Sequence, residues 1–256
     1  MMPLDLTLMA LLATAAFAAG VLNAIAGGGS FLTFPALVFA GVPPIVANAT
    51  SAVAVSPGYL GSTLGFKQEL LAQPKQRLRQ EMLIAAAGGV VGALLLLVTP
   101  AKLFNGLVPW LLLFATVLFV VGPWLARRLV TDGNDVHPWA RWRPLGLMAV
   151  SVYGGYFNGG LGILLMALYT VTGERHLLTA NAMKNLNSLV LSLLSVATFA
   201  LAGAIAWGPA VLMMVAATAG GYAGAHGSKR LPVGAVRAVV IVTGVVMSAV
   251  FFARTA

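Results

Sequence analysis

The chain alternates between long apolar runs and short polar gaps. The apolar runs cover roughly residues 3–26, 31–66, 82–98, 103–125, 145–172, 177–207, 209–225 and 233–253. About 20 apolar residues cross the hydrocarbon core of a bilayer as a helix, so the longest runs can hold more than one pass or a broken helix. No run shows the ten-residue alternation of a membrane β-strand. The pattern therefore predicts an all-α polytopic membrane protein with about eight transmembrane helices.

Composition and charge agree with lipid as the solvent. Of the 256 residues, 60% are hydrophobic and only 8% are charged, which is too little polar surface to enclose a soluble domain. In a soluble protein a net charge of +9 would suggest a nucleic-acid partner. Here the basic residues lie in the gaps between Lys67 and Arg79 and between Arg127 and Arg143, so both gaps are predicted to be cytoplasmic. No nucleic-acid partner is predicted.

The sequence carries an internal duplication. AGGVVGA begins at Ala87 and AGGYAGA at Ala219, 132 positions later (219 − 87). Two further pairs are Asn-x-x-x-Gly at residues 23–27 and 158–162, and Ala-Asn-Ala at residues 47–49 and 180–182. The chain is therefore predicted to hold two homologous halves, residues 1–126 and 144–256, joined by a basic loop at 127–143. Four spans in each half would make the halves parallel, but the short stretch 31–40 leaves this count open.

The glycine clusters are of two kinds. AGG-x-x-GA spaces small residues for close helix packing, although contact with a ligand is an alternative. The clusters at 27–29 and 159–162 instead predict broken helices, because each glycine weakens a helix by roughly 1 kcal/mol relative to alanine. The N-terminus of a helix that restarts inside a membrane can bind an anion, and Ser30 is predicted to cap the first one. The substrate-binding candidates here are Asn23, Gly28, Gly29, Ser30, Asn158 and Gly160.

A polar stripe in the run 177–207 supplies further candidates. Asn181, Lys184, Asn185 and Ser188 share one helical face, which resembles half of an anion pocket. A lysine within a span costs about 2.5–3.5 kcal/mol, so it indicates either a site or a side chain that reaches back to the interface. The first half offers Asn48, Thr50 and Ser51 as candidates, with a helix kink predicted at Pro57.

The sequence lacks the residues that enzymatic or metal-dependent chemistry would need. The sequence has no cysteine, no P-loop and no H-E-x-x-H motif, so no cofactor or metal is predicted and the protein is not expected to be an enzyme. The acidic residues flank loops, so no buried carboxylate is expected.

The chain resembles the TauE/SafE family of sulfite exporter-like permeases. The resemblance rests on GVLNAIAGGGSFLTFPAL and ANATSAV in the first half and on ANAMKNLNSLVLS, GAIAW and GGYAGAHGSKRLPVGAVRAVVIVTGV in the second. It implies a multi-pass secondary carrier of the bacterial inner membrane that moves sulfite, a sulfonate or another small organic anion. The resemblance does not fix the substrate or the direction of transport.

The leading hypothesis is therefore a secondary transporter whose partners are a small anion and membrane lipid. An anion channel is the first alternative, followed by an intramembrane enzyme and a non-transporting membrane scaffold. A homo-oligomer stays open.

Overall fold

The computed structural model describes residues 5–25, 28–129, 139–174, 176–227 and 233–255. These residues form helices and short connections, with no strand among them, which confirms the all-α prediction. The first-half helices are α1 (Leu6–Ile25), α2 (Ser30–Phe39), α3 (Pro44–Gly65), α4 (Lys67–Leu71), α5 (Lys75–Val98) and α6 (Ala101–Leu129). The second-half helices are α7 (Arg143–Tyr156), α8 (Leu161–Val171), α9 (Leu177–Leu201), α10 (Trp207–Gly227) and α11 (Val233–Thr255).

Several helices suit a bilayer. Among the described residues, four helical segments are long and apolar enough to cross a membrane: Leu6–Asn23, Lys75–Val98, Ala101–Gly122 and Leu177–Leu201. Shorter apolar helices occupy Ser30–Phe39, Leu161–Val171 and Ile241–Ala253. The chain is thus a multi-pass membrane protein, whereas the number of eight spans stays a prediction. The division into three segments is also still a prediction, and residues 130–138 of the connecting loop lie outside the described residues.

Both predicted helix breaks are present. α1 and α2 are separated after Ile25, and α7 and α8 after Tyr156. Gly28 (φ +93°) and Gly160 (φ +78°) adopt the left-handed region that favours glycine. Gly27, which belongs to the first cluster, lies outside the described residues.

At each break the chain reverses direction. A β-carbon at Gly29 would lie 2.8 Å from the carbonyl oxygen of Ala19, so α2 starts back along α1. In the second half, a β-carbon at Gly146 would lie 2.5 Å from Leu168 Cδ1, so α8 returns along α7. The two breaks are therefore the tips of helical hairpins.

Polar contacts tie the open ends of the α7–α8 hairpin together. Arg143, at the start of α7, donates from Nε to Thr172 Oγ1 at 2.9 Å and from a terminal guanidinium nitrogen to the Thr172 carbonyl at 2.9 Å. Thr172 directly follows α8. Since the 11 residues of α8 reach only about 16 Å, this hairpin begins and ends on the same side of the molecule.

Helices of the two halves interleave. α1 packs on α10 and α7 packs on α5, while α3 and α9 meet each other and pack on α10 and α5 respectively. The repeat matches α1 with α7, α3 with α9 and α5 with α10. The α1–α10 contact therefore corresponds to the α7–α5 contact, and the α3–α10 contact corresponds to the α9–α5 contact. The largest apolar core accordingly takes buried residues from both halves, such as Phe34, Phe104, Phe157 and Phe199.

The AGG-x-x-GA glycines lie at helix contacts, as the packing interpretation predicts. A β-carbon at Gly92 would lie 2.1 Å from the Val152 carbonyl oxygen on α7. In the second copy, a β-carbon at Gly220 would lie 2.0 Å from the Phe17 carbonyl oxygen on α1. Neither backbone approach leaves room for a larger side chain.

Candidate functional site

A small polar cavity lies where the tips of the two hairpins meet α3 and α9. The hairpins contribute Asn23, Gly28, Gly29, Ser30, Asn158, Gly160, Leu161 and Gly162, and the two helices contribute Tyr59, Ser62, Lys184, Asn185 and Ser188. About 20 Å³ is open to the centres of water molecules, which is room for one or two waters or a group of similar size. The structure therefore brings candidates from both glycine breaks together with the polar stripe of α9.

The N-termini of two short helices face this cavity. α2 begins at Ser30 and α8 at Leu161, and the glycines before both helices line the cavity. Neither helix has a capping hydrogen bond from a side chain, so the prediction that Ser30 caps α2 is wrong. The N-cap position belongs to Gly29, because Ser30 has already joined the helix. The amides of a first helical turn carry a positive partial charge, so both helix ends favour an anion.

Lys184 adds a full positive charge. Its Nζ donates a hydrogen bond to Asn181 Oδ1 at 3.2 Å. The ion pairs among the described residues involve Arg77, Arg143 and two glutamates, and none includes Lys184. The aliphatic stem of the lysine passes over the first turn of α8, where a β-carbon at Gly162 would lie 3.9 Å from Lys184 Cδ. Lys184 thus brings an uncompensated charge to a cavity that two helix N-termini already make positive.

Ser188 presents an unused hydrogen-bonding group. The residue is fully buried (0% exposed), and its hydroxyl has no hydrogen-bond partner within the described part of the chain. A buried polar group without a partner costs about 1–3 kcal/mol, so an acceptor bound in the cavity could recover part of this free energy. Asn185, one turn before it, is also buried and lines the same cavity.

Asn158 is held in place by two neighbours of the second hairpin tip. Tyr59 OH donates to Asn158 Oδ1 at 3.0 Å. The amide nitrogen of Asn158 therefore points away from Tyr59. Tyr153 OH donates to the Gly159 carbonyl at 2.8 Å and braces the adjacent backbone. Asn158 therefore contributes to the cavity wall while its side chain is held by α3.

Four predicted site residues lie outside the cavity lining. Asn48 Nδ2 donates to the Tyr156 carbonyl at 3.0 Å and so caps the end of α7. Thr50 Oγ1 accepts from the Ala206 amide at 3.1 Å, and the Ser51 and Thr33 hydroxyls are 2.6 Å apart. Asn181, the fourth, binds Lys184. The first three are buried and join helices to one another, so the structure gives them a structural role instead of the predicted place in the pocket.

The sequence prediction missed Tyr59 and Ser62 of α3. Both continue the helical face of Ser51, at positions i+8 and i+11, so helical spacing is the signal that could have found them. Leu161 and Gly162, also missed, follow directly from the position of the second break.

One acidic residue contradicts the expectation that all acids flank loops. Glu81 lies two turns into α5 and is only 6% exposed. Its carboxylate accepts from Arg77 Nε at 3.0 Å, from Asn187 Nδ2 at 3.1 Å and from the Tyr169 hydroxyl. Arg77 also binds Glu174 at 2.7 Å. This network, which we call the Glu81 network, joins α5, α8 and α9.

Paired hairpin tips whose helix N-termini face a polar cavity are typical of membrane transporters. The chain is a member of the sulfite exporter TauE/SafE family, whose model matches residues 12–251. The family resemblance in the sequence is thus confirmed.

Similar curated proteins have names of the same class. The chain is 29% identical to a probable membrane transporter protein, ORF9, of Sinorhizobium sp, over 83% of this chain and 80% of that protein. It is 29% identical to a probable membrane transporter protein of Haemophilus influenzae, over 88% and 86%. It is 28% identical to the probable membrane transporter protein YfcA of Escherichia coli, over 94% and 88%. No solved structure matches the chain.

Proposed function

We propose that the protein is a secondary transporter that moves a small anion across the bacterial inner membrane and binds it in the hairpin-tip cavity. The observation that supports this most directly is the placement of Lys184, without a carboxylate partner among the described residues, at a cavity that two helix N-termini face. In a low-dielectric interior these positive groups repel one another until an anion enters. The anion would accept from the lysine, from the Ser188 hydroxyl and from backbone amides.

The cavity favours a compact negative group as the bound part of the substrate. Among the described residues, its lining side chains are donors or small residues, and Leu161 is the only bulky apolar one. Donors of this kind suit the oxygens of a small oxyanion, such as sulfite or the head of a sulfonate. A channel would need a continuous open path, whereas this cavity is small and ringed by helix tips, so a carrier is favoured.

The hairpins support a particular membrane topology. A hairpin returns the chain to the side from which it came, so neither hairpin would make a net crossing, although α1 alone is long enough to span. The crossing helices would then be α3, α5 and α6 in the first half and α9, α10 and α11 in the second. Three crossings per half, in place of four, would make the repeats inverted rather than parallel. This arrangement puts the basic gaps after Gly65, Leu129 and Gly227 on one side, which the positive-inside rule makes cytoplasmic.

Transport into proteoliposomes tests the function. We expect saturable uptake of sulfite or a small sulfonate, with counter-flow stimulated by unlabelled anion inside the vesicles. Lys184→Ala should lower kcat/KM by about 10- to 150-fold, because a hydrogen bond to a charged group contributes about 1.5–3 kcal/mol. Lys102→Ala, at an exposed lysine of α6, is the matched control and should transport normally. Unchanged transport in Lys184→Ala would remove this lysine from the site, and non-saturable flux without counter-flow would favour a channel.

A further inference from the structure

A second, larger cavity adjoins the first. About 440 Å³ is open between α1, α3 and α10, lined by small and polar residues that include Gly58, Gly61, Thr218 and Gly221. Asn23 and Ser62 line both cavities, so the large cavity lies directly beside the small one. We call the large cavity the vestibule.

The vestibule lies at a helix seam that occurs twice. The seam between α3 and α10 places Ser62 near Gly221. In the repeat, the matching positions are Ser195 on α9 (195 − 62 = 133) and Gly89 on α5 (221 − 89 = 132). Both α3 with α10 and α9 with α5 are packed helix pairs. The same serine and glycine therefore occupy equivalent positions on the two helix pairs.

The α5–α9 seam is closed. Ser195 Oγ donates to the Gly89 carbonyl at 3.0 Å. A β-carbon at Gly89 would lie 2.8 Å from the Leu191 carbonyl oxygen and 3.1 Å from Ser195 Oγ. The two backbones touch at this glycine, so the seam is closed at Gly89 and Ser195.

The α3–α10 seam is open at the matching positions. A β-carbon at Gly221 would meet only the Gly20 carbonyl oxygen, at 3.8 Å, and no atom of α3 within 4 Å. Ser62 faces the vestibule, and no hydrogen bond to Gly221 corresponds to the one that Ser195 makes. Equivalent residues thus adopt a closed and an open arrangement in one molecule.

We infer that the α3–α10 and α5–α9 seams are two copies of one gate that open alternately, and that the vestibule is the cytoplasmic entrance to the anion cavity. In the opposite state Ser62 would donate to the Gly221 carbonyl, and Ser195 would leave Gly89. The inference rests on the proposed function, because a gate needs a transported ligand. An inverted repeat gives two such states by exchanging the conformations of its halves.

The position of the seams along their helices gives the side to which each one opens. Ser62 lies in the last turn of α3, directly before the basic gap that starts at Lys67. Ser195 lies toward the far end of α9, whose start is joined to that basic side through Arg77 and Glu174. The open seam therefore faces the cytoplasm, and the closed seam faces the opposite side.

Single cysteines test this inference without background, because the sequence contains none. Ser62→Cys and Ser195→Cys form a matched pair for a membrane-impermeant maleimide, applied to inside-out and right-side-out vesicles without added anion. We expect Ser62→Cys to react from the cytoplasmic face and Ser195→Cys to react more slowly and only from the other face. Reaction of both from one face, or of Ser62→Cys only from the outer face, would overturn the inference.

A cross-link tests whether the open seam closes. The 3.1 Å between a β-carbon at Gly89 and Ser195 Oγ shows that the closed seam brings these positions within disulfide reach. We expect Ser62→Cys/Gly221→Cys to form an intramolecular disulfide under oxidising conditions, seen as a loss of maleimide-reactive thiols that returns on reduction. Failure to cross-link under conditions that oxidise an exposed cysteine pair would show that the seam does not close, and would overturn the inference.

The outcomes separate this inference from the proposed function. The labelling and the cross-link need no transported anion. If both behave as expected while no anion is transported, the gate stands and the anion proposal fails. If Lys184→Ala abolishes transport while both serine positions label from one face, the anion site stands and the gate fails.

Discussion

The helices α3 and α9 carry the same Ala-Asn-Ala motif and use it differently. On α3, Asn48 caps the end of α7 through the Tyr156 carbonyl. On α9, the matching Asn181 holds the ammonium group of Lys184. The neighbours follow the same division, because Ser51 bonds to Thr33 whereas Lys184, at the matching position, borders the cavity. Duplication has thus left one copy with structural hydrogen bonds, and the other copy carries the charge.

The largest expected effect concerns the Glu81 network, which binds α9 to α5 and α8 and has no counterpart at the matching positions around α3. At the first-repeat positions that match Tyr169 (169 − 132) and Asn187 (187 − 133), the sequence has Leu37 and Ala54, and at the second-repeat position that matches Glu81 (81 + 132) it has Met213. Glu81→Ala should lower the free energy of unfolding by about 3–5 kcal/mol, because it leaves buried polar partners unpaired.

Thermal unfolding in detergent measures this loss. Glu69→Ala, on the short helix α4, is the control and should change stability by less than about 0.5 kcal/mol. If Glu81→Ala were as stable as this control, the Glu81 network would contribute nothing to holding α9.

A matched asparagine pair sharpens the comparison of α3 with α9. Asn48→Ala should lower the free energy of unfolding by about 1–3 kcal/mol, since the buried Tyr156 carbonyl loses its donor. Asn181→Ala should leave stability nearly unchanged but raise the KM for the anion about three- to tenfold, because Lys184 loses the group that positions it. Thermal unfolding and transport, measured on both variants, test the roles assigned to Asn48 and Asn181. The roles would be reversed if Asn181→Ala lowered the free energy of unfolding and Asn48→Ala changed only the KM for the anion.

The smallest expected effect concerns two serines. Ser188→Ala removes a hydroxyl without a partner among the described residues, so stability should stay the same or rise by up to about 1 kcal/mol. Anion affinity should fall about three- to tenfold if the hydroxyl donates to the anion. Ser51→Ala, which removes a bonded hydroxyl on α3, should instead lower stability and spare affinity. A thermal-shift titration with sulfite measures both quantities, and equal affinities for Ser188→Ala and the parent would exclude Ser188 from the site.

Local patterns in the sequence predict part of this site. The broken helices follow from glycine clusters, and Lys184 stands out because a charge within an apolar run needs a reason. The Glu81 network does not follow from such patterns, because its partners come from three helices that are distant in sequence. The role of Asn48 was missed for the same reason, since Tyr156 lies 108 residues away. Spacing along a helix places a polar face, but the neighbouring helices decide whether that face is already hydrogen-bonded.

The interleaved packing of the halves also bears on how the chain assembles during synthesis. α1 ends at Ile25, yet its main neighbour α10 begins only at Trp207. The first helix must therefore wait in the membrane, shielded by lipid or by a chaperone, while most of the chain is translated.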